Sequence, residues 1–191
     1  MSYAGTSPNA LPTTWRFRIS GKVFRFVSRL LSRPSSERLP ELGDDPIIFA
    51  ANHASMSDVF FAIATLSDWK YPARCLVRYS YFANPLMGAF LRNVGCVPAA
   101  EGVKILETGF PIAVMVEGRI VPPDERADDG MGEFRDGFIN IARTADARIL
   151  PIVITNADRV WGSRAALPKL RLRNRPEVNI RVGTPYSVDG L

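Results

Sequence analysis

Apolar residues recur along this chain with two periods. Trp15, Ile19, Val23, Phe26, Val27 and Leu30 fall at steps of three and four, which places them on one face of a helix. Arg16, Lys22, Arg25, Arg29 and Arg33 lie mostly off that stripe. Farther along, short apolar runs alternate with segments of helical period. Ile47–Ala51, Cys75–Arg78, Val94–Val97, Ile112–Val116 and Ile149–Ile154 read as strands, with two more near Leu170–Leu172 and Val178–Val182. Helices are expected over Ser55–Leu66, Phe82–Leu91, Lys104–Thr108 and Phe134–Arg143. Residues 1–13 read as a loose polar tail, Pro34–Asp45 as a linker and Pro122–Gly132 as an acidic loop. Such alternation predicts an α/β fold, a mixed β-sheet flanked by helices, with a basic amphipathic helix at the N-terminus. Residues 1–40 are then tail, surface helix and linker, and residues 41–191 the folded domain.

Composition agrees with one full core: of 191 residues, 47% are hydrophobic and 23% charged. Cys75 and Cys96 both sit in apolar stretches and read as buried free thiols in a reducing compartment. The opening residues are small and polar, so no secretory signal is expected. No apolar run reaches the roughly 18 residues that a spanning helix needs.

Charge changes the picture more. Residues 1–40 carry a net charge of +6, residues 41–157 carry −5, and residues 158–191 carry +4. Basic ends around a mildly acidic middle suggest an anionic surface as partner, lipid or nucleic acid. Arginines opposite an apolar stripe favour a helix lying in a membrane interface. The alternative is that the stripe packs on the protein's own core. A nucleic-acid reading rests on Lys169–Arg175, but its alternation is that of a surface strand, and no nucleic acid is expected.

The chain holds one histidine, His53, where an apolar strand gives way to a helix. Strand ends facing helix starts are where α/β sheets build sites. Asp58 follows five residues later. With His53 in the loop and Asp58 in the first helical turn, the two side chains meet. An imidazole then takes a proton from a hydroxyl, and the carboxylate orients it and balances the imidazolium. Equally, Ser55-Met56-Ser57-Asp58 has the form of a helix cap, and a lone histidine is often structural. No Gly-x-Ser-x-Gly elbow, dinucleotide fingerprint or P-loop occurs. One His and two distant Cys do not make an ordinary zinc site, so no metal is expected.

In its motifs and their order, the stretch from about residue 45 to 186 resembles the glycerolipid acyltransferases, the lysophosphatidic acid acyltransferase group. Asn52, His53 and Asp58 match the family's Asn-His-x4-Asp, with Ser55 at its frequent serine. Leu76-Val77-Arg78, then Asn84-Pro85 and Gly88, are similar to the next block, with Arg78 in place of Lys. Glu117-Gly118-Arg119 partly meets Phe-Pro-Glu-Gly-Thr-Arg-Ser. Phe134-Arg135-Asp136-Gly137, Pro151 and Gly183-Thr184-Pro185 match the later blocks. Two departures stand out: Gly95–Glu101 lacks the arginine closing the second motif, and Arg119 directly follows Gly118.

The resemblance implies that residues 41–191 form an acyltransferase domain. It implies transfer of a fatty acyl group from acyl-CoA or acyl carrier protein to a lyso-lipid, in phospholipid synthesis. His53 and Asp58 are the implied catalytic pair. Asn52, Ser55, Arg78, Glu117, Gly118 and Arg119 are the implied substrate-binding set. The thioester is a co-substrate, and no resident cofactor is expected. The expected location is peripheral, on the cytoplasmic face of a membrane. A non-enzymatic lipid-binding protein on the same fold, or an acyltransferase for an acceptor without phosphate, are the alternatives.

Overall fold

Strand β2 (Ile47–Ala51) is apolar throughout and all five of its residues are buried, the pattern of a parallel strand covered on both faces. The computed structural model describes residues 15–171 and 173–188, with side chains from Arg18 onward. The tail over residues 1–13, the Trp15 side chain and Leu172 lie outside the described residues.

The other strands are β1 (Arg33–Ser36), β3 (Arg74–Val77), β4 (Val97–Pro98), β5 (Ile112–Met115), β6 (Arg148–Thr155) and β7 (Glu177–Val182). Together with β2 they form one sheet in the order β1-β7-β6-β2-β5-β3-β4. The β6–β7 pairing is antiparallel and the rest are parallel, so the sheet is mixed. The helices are α1 (Trp15–Leu31), α2 (Asp58–Asp68), α3 (Ser80–Ala83), α4 (Pro85–Asn93), α5 (Gly102–Glu107) and α6 (Gly137–Thr144).

Alternation along β2 sorts the core into two layers. Ile47, Phe49 and Ala51 pack with Phe61 and Leu66 of α2, while Ile48 and Ala50 pack with Leu106 of α5 and Phe138 and Ala142 of α6. Each large apolar side chain so buried contributes about 1.5–3 kcal/mol. Helix α1 lies outside α2. Phe24 meets Phe60 at 5.1 Å between ring centroids, and a Cβ on Gly21 would come within 2.7 Å of the Ser67 hydroxyl. Arg25 closes the seam with a 2.8 Å ion pair to Asp68.

Several expectations change. The outward face of α1 is not the one left polar. Ile19, Val23, Phe26 and Leu30 are exposed, whereas Phe24 and Ser28 are buried. These four residues of the stripe therefore do not pack on the protein's own core, whereas Val27 is half-buried. The expected linker begins with β1, whose Arg-Pro-Ser-Ser sequence has no strand pattern. It pairs as an edge, where Pro34 is tolerated. The helix expected across Phe82–Leu91 is interrupted at Asn84, whose side chain accepts from the N–H groups of Leu86 and Met87 ahead of Pro85. No strand forms over residues 168–171. Both edges of β7 are already taken by β1 and β6, and Pro168 and Pro176 flank the segment.

Candidate active site

Strands β2, β3, β5 and β6 run parallel, and the chain leaves their carboxyl ends at His53, Arg78, Val116 and Asn156. A crevice at these ends is where open α/β sheets bind ligands. The first requirement is that the His53 loop hold its shape. Asn52 is buried and ties β2 to β6 with two hydrogen bonds: its amide donates to Ile154 O (3.0 Å) and its oxygen accepts from Ile154 N (2.7 Å). The peptide oxygen of His53 accepts from Val121 N at 2.9 Å. The guanidinium of Arg126 donates to Ala54 O (2.7 Å) and Val121 O (3.0 Å). On the other flank, Met56 N donates to Trp161 O at 3.2 Å, and Trp161 stacks on Phe60 at 5.9 Å.

Within that loop, Asp58 is fully buried. One oxygen accepts from Ser55 N (2.7 Å) and lies 3.1 Å from His53 Nδ1, and the other accepts from the Ser55 hydroxyl (2.7 Å). The Ser55 hydroxyl in turn accepts from Ser57 N (3.1 Å), and Ser57 donates to Ala157 O (2.9 Å). Three donors thus surround the Asp58 carboxylate: the Ser55 N–H, the Ser55 hydroxyl and the His53 imidazole. Asp58 is the first residue of α2, which has no side-chain cap; its carboxylate instead closes the Ser55 loop and faces the imidazole. An ionised carboxylate can only accept, so this contact suits the neutral tautomer with its proton on Nδ1, which leaves the Nε2 lone pair for a partner. The His53 side chain keeps 14% exposure.

Glu117 occupies the opposite side of the same loop. It is 3% exposed and its carboxylate accepts from the peptide N–H of His53 at 2.8 Å. Burial pushes its pKa up, and the N–H groups of Glu117 itself, His53 and Gly132 pull it part of the way back.

His53 opens onto a cavity of about 740 Å³, within the roughly 300–1,000 Å³ range of small-molecule sites. Its deep walls are apolar, with Phe24, Phe60, Ile63, Leu66, Leu91 and Val94 among them. Its polar end holds His53, Arg78, Gly118, Arg119 and Arg135. Of the residues expected at the site, Arg78, Gly118 and Arg119 line the cavity, whereas Asn52, Ser55 and Glu117 turn inward and shape the His53 loop. Where the arginine of the second motif is missing, Ala99 lines the wall.

Arg135 went unrecognised as a site residue. Its peptide N–H bonds to Val116 O at 2.8 Å, so Phe134 and Arg135 precede α6 rather than begin it. Gly118 has φ of +64°, and a Cβ there would meet Arg135 Cγ at 3.4 Å. Arg78 donates to Gly118 O at 3.4 Å. Two guanidinium side chains therefore flank one glycine, with Arg119 next in sequence. Arg119 is paired with Glu125; among the described residues Arg135 has no ion pair. The available signal was the Phe-Arg-x-Gly block itself. Cys75 and Cys96 also line the cavity. The neighbouring Cys75 thiol and burial together push the Cys96 thiol above the ordinary thiol range. Among the described residues no three His, Cys, Asp or Glu side chains converge as metal ligands do.

Fold and site together define an α/β protein with a histidine–carboxylate pair at the polar mouth of an apolar cavity. Residues 33–155 match the Acyltransferase family, and the chain belongs to it; it is an acyltransferase-type enzyme. A search of curated protein sequences gives no match. Among solved structures, the chain is similar to the crystal structure of the 1-acyl-sn-glycerophosphate (LPA) acyltransferase PlsC from Thermotoga maritima. The TM-score is 0.63 at 20% identity, covering 94% of this chain and 70% of that one. That likeness is one of fold.

Proposed function

We propose that this enzyme moves a fatty acyl group from a thioester, on coenzyme A or acyl carrier protein, to the hydroxyl of a lyso-lipid of the glycerophosphate type, for membrane lipid synthesis. The observation that carries the reading is His53 Nδ1 held on the buried Asp58 carboxylate at 3.1 Å, at the polar mouth of an otherwise apolar cavity.

The acyl chain lies along the apolar wall, where its burial drives binding. His53 Nε2 takes the acceptor's hydroxyl proton as that oxygen attacks the thioester carbonyl carbon. Asp58 balances the imidazolium that forms. The tetrahedral intermediate then expels the thiolate, the C–S bond breaks, and the imidazolium returns its proton to sulfur. Arg78, Arg119 and Arg135 hold the acceptor's anionic group, since a guanidinium fork binds two oxygens of a phosphate at once.

The enzyme works at a membrane surface as a peripheral protein. Support comes from α1, whose apolar stripe of Ile19, Val23, Phe26 and Leu30 faces outward on a helix without an acidic residue. Among the described residues no helix is long and apolar enough to cross a bilayer.

The test is His53→Ala in purified protein, assayed with acyl-CoA and acyl carrier protein thioesters against a panel of lyso-lipids. Loss of transfer with an unchanged circular dichroism spectrum is expected. Retention of more than about a tenth of the wild-type rate refutes the mechanism, since a general base alone contributes about 10²-fold or more.

A further inference from the structure

We infer that the membrane-facing surface is not α1 alone but includes the α3–α4 hairpin, which seats the mouth of the acyl cavity directly on an anionic bilayer. This rests on the membrane-surface reading above and extends it to a second element that no part of that reading requires.

The hairpin presents apolar side chains that no other described residue covers. Leu86 is 84% exposed, Tyr79 72% and Tyr81 54%, with Met87 and Phe90 also exposed. A contiguous apolar patch on a soluble face marks an interaction surface. Its position ties it to α1: Phe24 of α1 and Leu91 of α4 belong to one buried cluster, so the two helices pack side by side. It also adjoins the site, because Tyr81, Met87 and Phe90 line the cavity while remaining exposed.

Charge selects the occupant. Residues 69–100 contain no Asp or Glu; Arg92 lies over the Phe82 ring of the hairpin and Arg78 lines the cavity beside it, whereas Lys70 and Arg74 sit at the far end of β3. Helix α1 likewise lacks acids. An apolar patch with arginines beside it and no acid in its own segment fits an anionic lipid surface rather than a basic protein face. Tyrosines at the rim suit the headgroup level, where one end of the ring is apolar and the other wet. Seated this way, an acyl chain passes from bilayer to cavity without crossing water.

The experiment measures co-sedimentation of the full chain with vesicles of equal parts phosphatidylcholine and phosphatidylglycerol, and with phosphatidylcholine alone. The variant is Leu86→Asp combined with Tyr79→Asp, two residues outside the cavity wall. Val23→Asp with Phe26→Asp reports on α1, and Leu167→Asp, an exposed leucine on another loop, is the control. The hairpin variant is expected to lower partitioning onto the anionic vesicles about tenfold or more, the change that withdrawing a fully exposed leucine from hydrocarbon produces. Its turnover of detergent-dispersed acceptor should stay within about twofold, as for other surface substitutions.

Unchanged partitioning of the hairpin variant overturns the inference. If the α1 variant alone releases the protein, the membrane reading stands and the hairpin does not belong to the surface. An equal loss for Leu167→Asp also overturns it, as does a dimer in sedimentation velocity that the hairpin variant dissolves. Should the aspartates prevent folding, Leu86→Trp read with brominated phospholipids decides the matter: quenching of the added tryptophan supports insertion, and its absence refutes it.

Discussion

Glu117 offers a test of how the His53 loop is held, because its carboxylate touches the backbone of His53 and does not line the cavity. Two substitutions separate shape from hydrogen bonding. Glu117→Ala strands the His53 N–H that now bonds at 2.8 Å and leaves a void at a 3% exposed position. An unsatisfied buried donor costs about 1–3 kcal/mol, and the void adds to that, so a loss of about 2–4 kcal/mol is expected. Glu117→Gln keeps one acceptor oxygen but turns an amide NH2 toward a pocket of N–H donors, an expected loss of about 1–2 kcal/mol. For the reaction, a shift of His53 by about 1 Å costs on the order of a hundredfold. Glu117→Ala should therefore lose turnover by about that factor while the KM values for both substrates change little, since the arginines and the apolar wall remain. The pH dependence has a definite sign. Burial raises the Glu117 pKa above its ordinary 4.5, so the unfolded chain gives up this proton first. The stability it contributes is complete below the ordinary value and falls away as pH rises through the raised native value. Glu117→Gln removes that decline. Urea unfolding from about pH 4 to about pH 7, with single-turnover rates in parallel, measures both effects. If Glu117→Ala turns over within about threefold of wild type, a fraction of what displacing His53 entails, or if Glu117→Gln shows the same pH-dependent decline, the carboxylate does not hold the loop as argued.

At the acceptor end, Arg135→Ala is expected to raise the KM of a phosphorylated acceptor about ten- to a hundredfold and spare the thioester donor's. Arg119→Ala should do less, because Glu125 already occupies its guanidinium; if lysophosphatidic acid is a good substrate and both variants are kinetically silent, the anion site lies elsewhere. In the buried network, Ser55→Ala removes the 2.7 Å donor to one Asp58 oxygen. It should cost about 1.5–3 kcal/mol in denaturant unfolding, and an unshifted midpoint counts against Asp58 depending on that hydroxyl.

Much of the central sheet was legible because its strands are apolar in their own right. Ile47–Ala51 was read with its observed bounds, since five apolar residues buried on both faces need no neighbour to reveal them. Edge elements were not. Arg33–Ser36 becomes a strand only because β7 offers it a partner, and residues 170–171 form no strand despite the alternation around them. The helix start at Ser55 was misjudged for a related reason: Ser55 and Ser57 spend their hydrogen bonds holding the Asp58 loop, and α2 begins after them.

The site divides along the same line. Sequence alone determined that His53 is the only imidazole; that Asp58 meets it was conditional on a loop giving way to a helix between them, which the structure supplies by starting α2 at Asp58. Sequence also determined the basic, acid-free character of the first helix, a property of composition. Only the tertiary structure decided which face of that helix is covered: α2 takes Gly21, Phe24 and Arg25 and leaves Ile19, Val23, Phe26 and Leu30 outside. Only the tertiary structure separated Glu117 from Arg119, neighbours in one motif, sending the first inward to the His53 backbone and the second to the cavity. Arg135 reaches Gly118 because a hydrogen bond to Val116 draws its backbone alongside the end of β5. Contacts between residues distant in sequence depend on how the strands are ordered in the sheet, and that order is settled by the packing of the whole chain rather than by any local pattern.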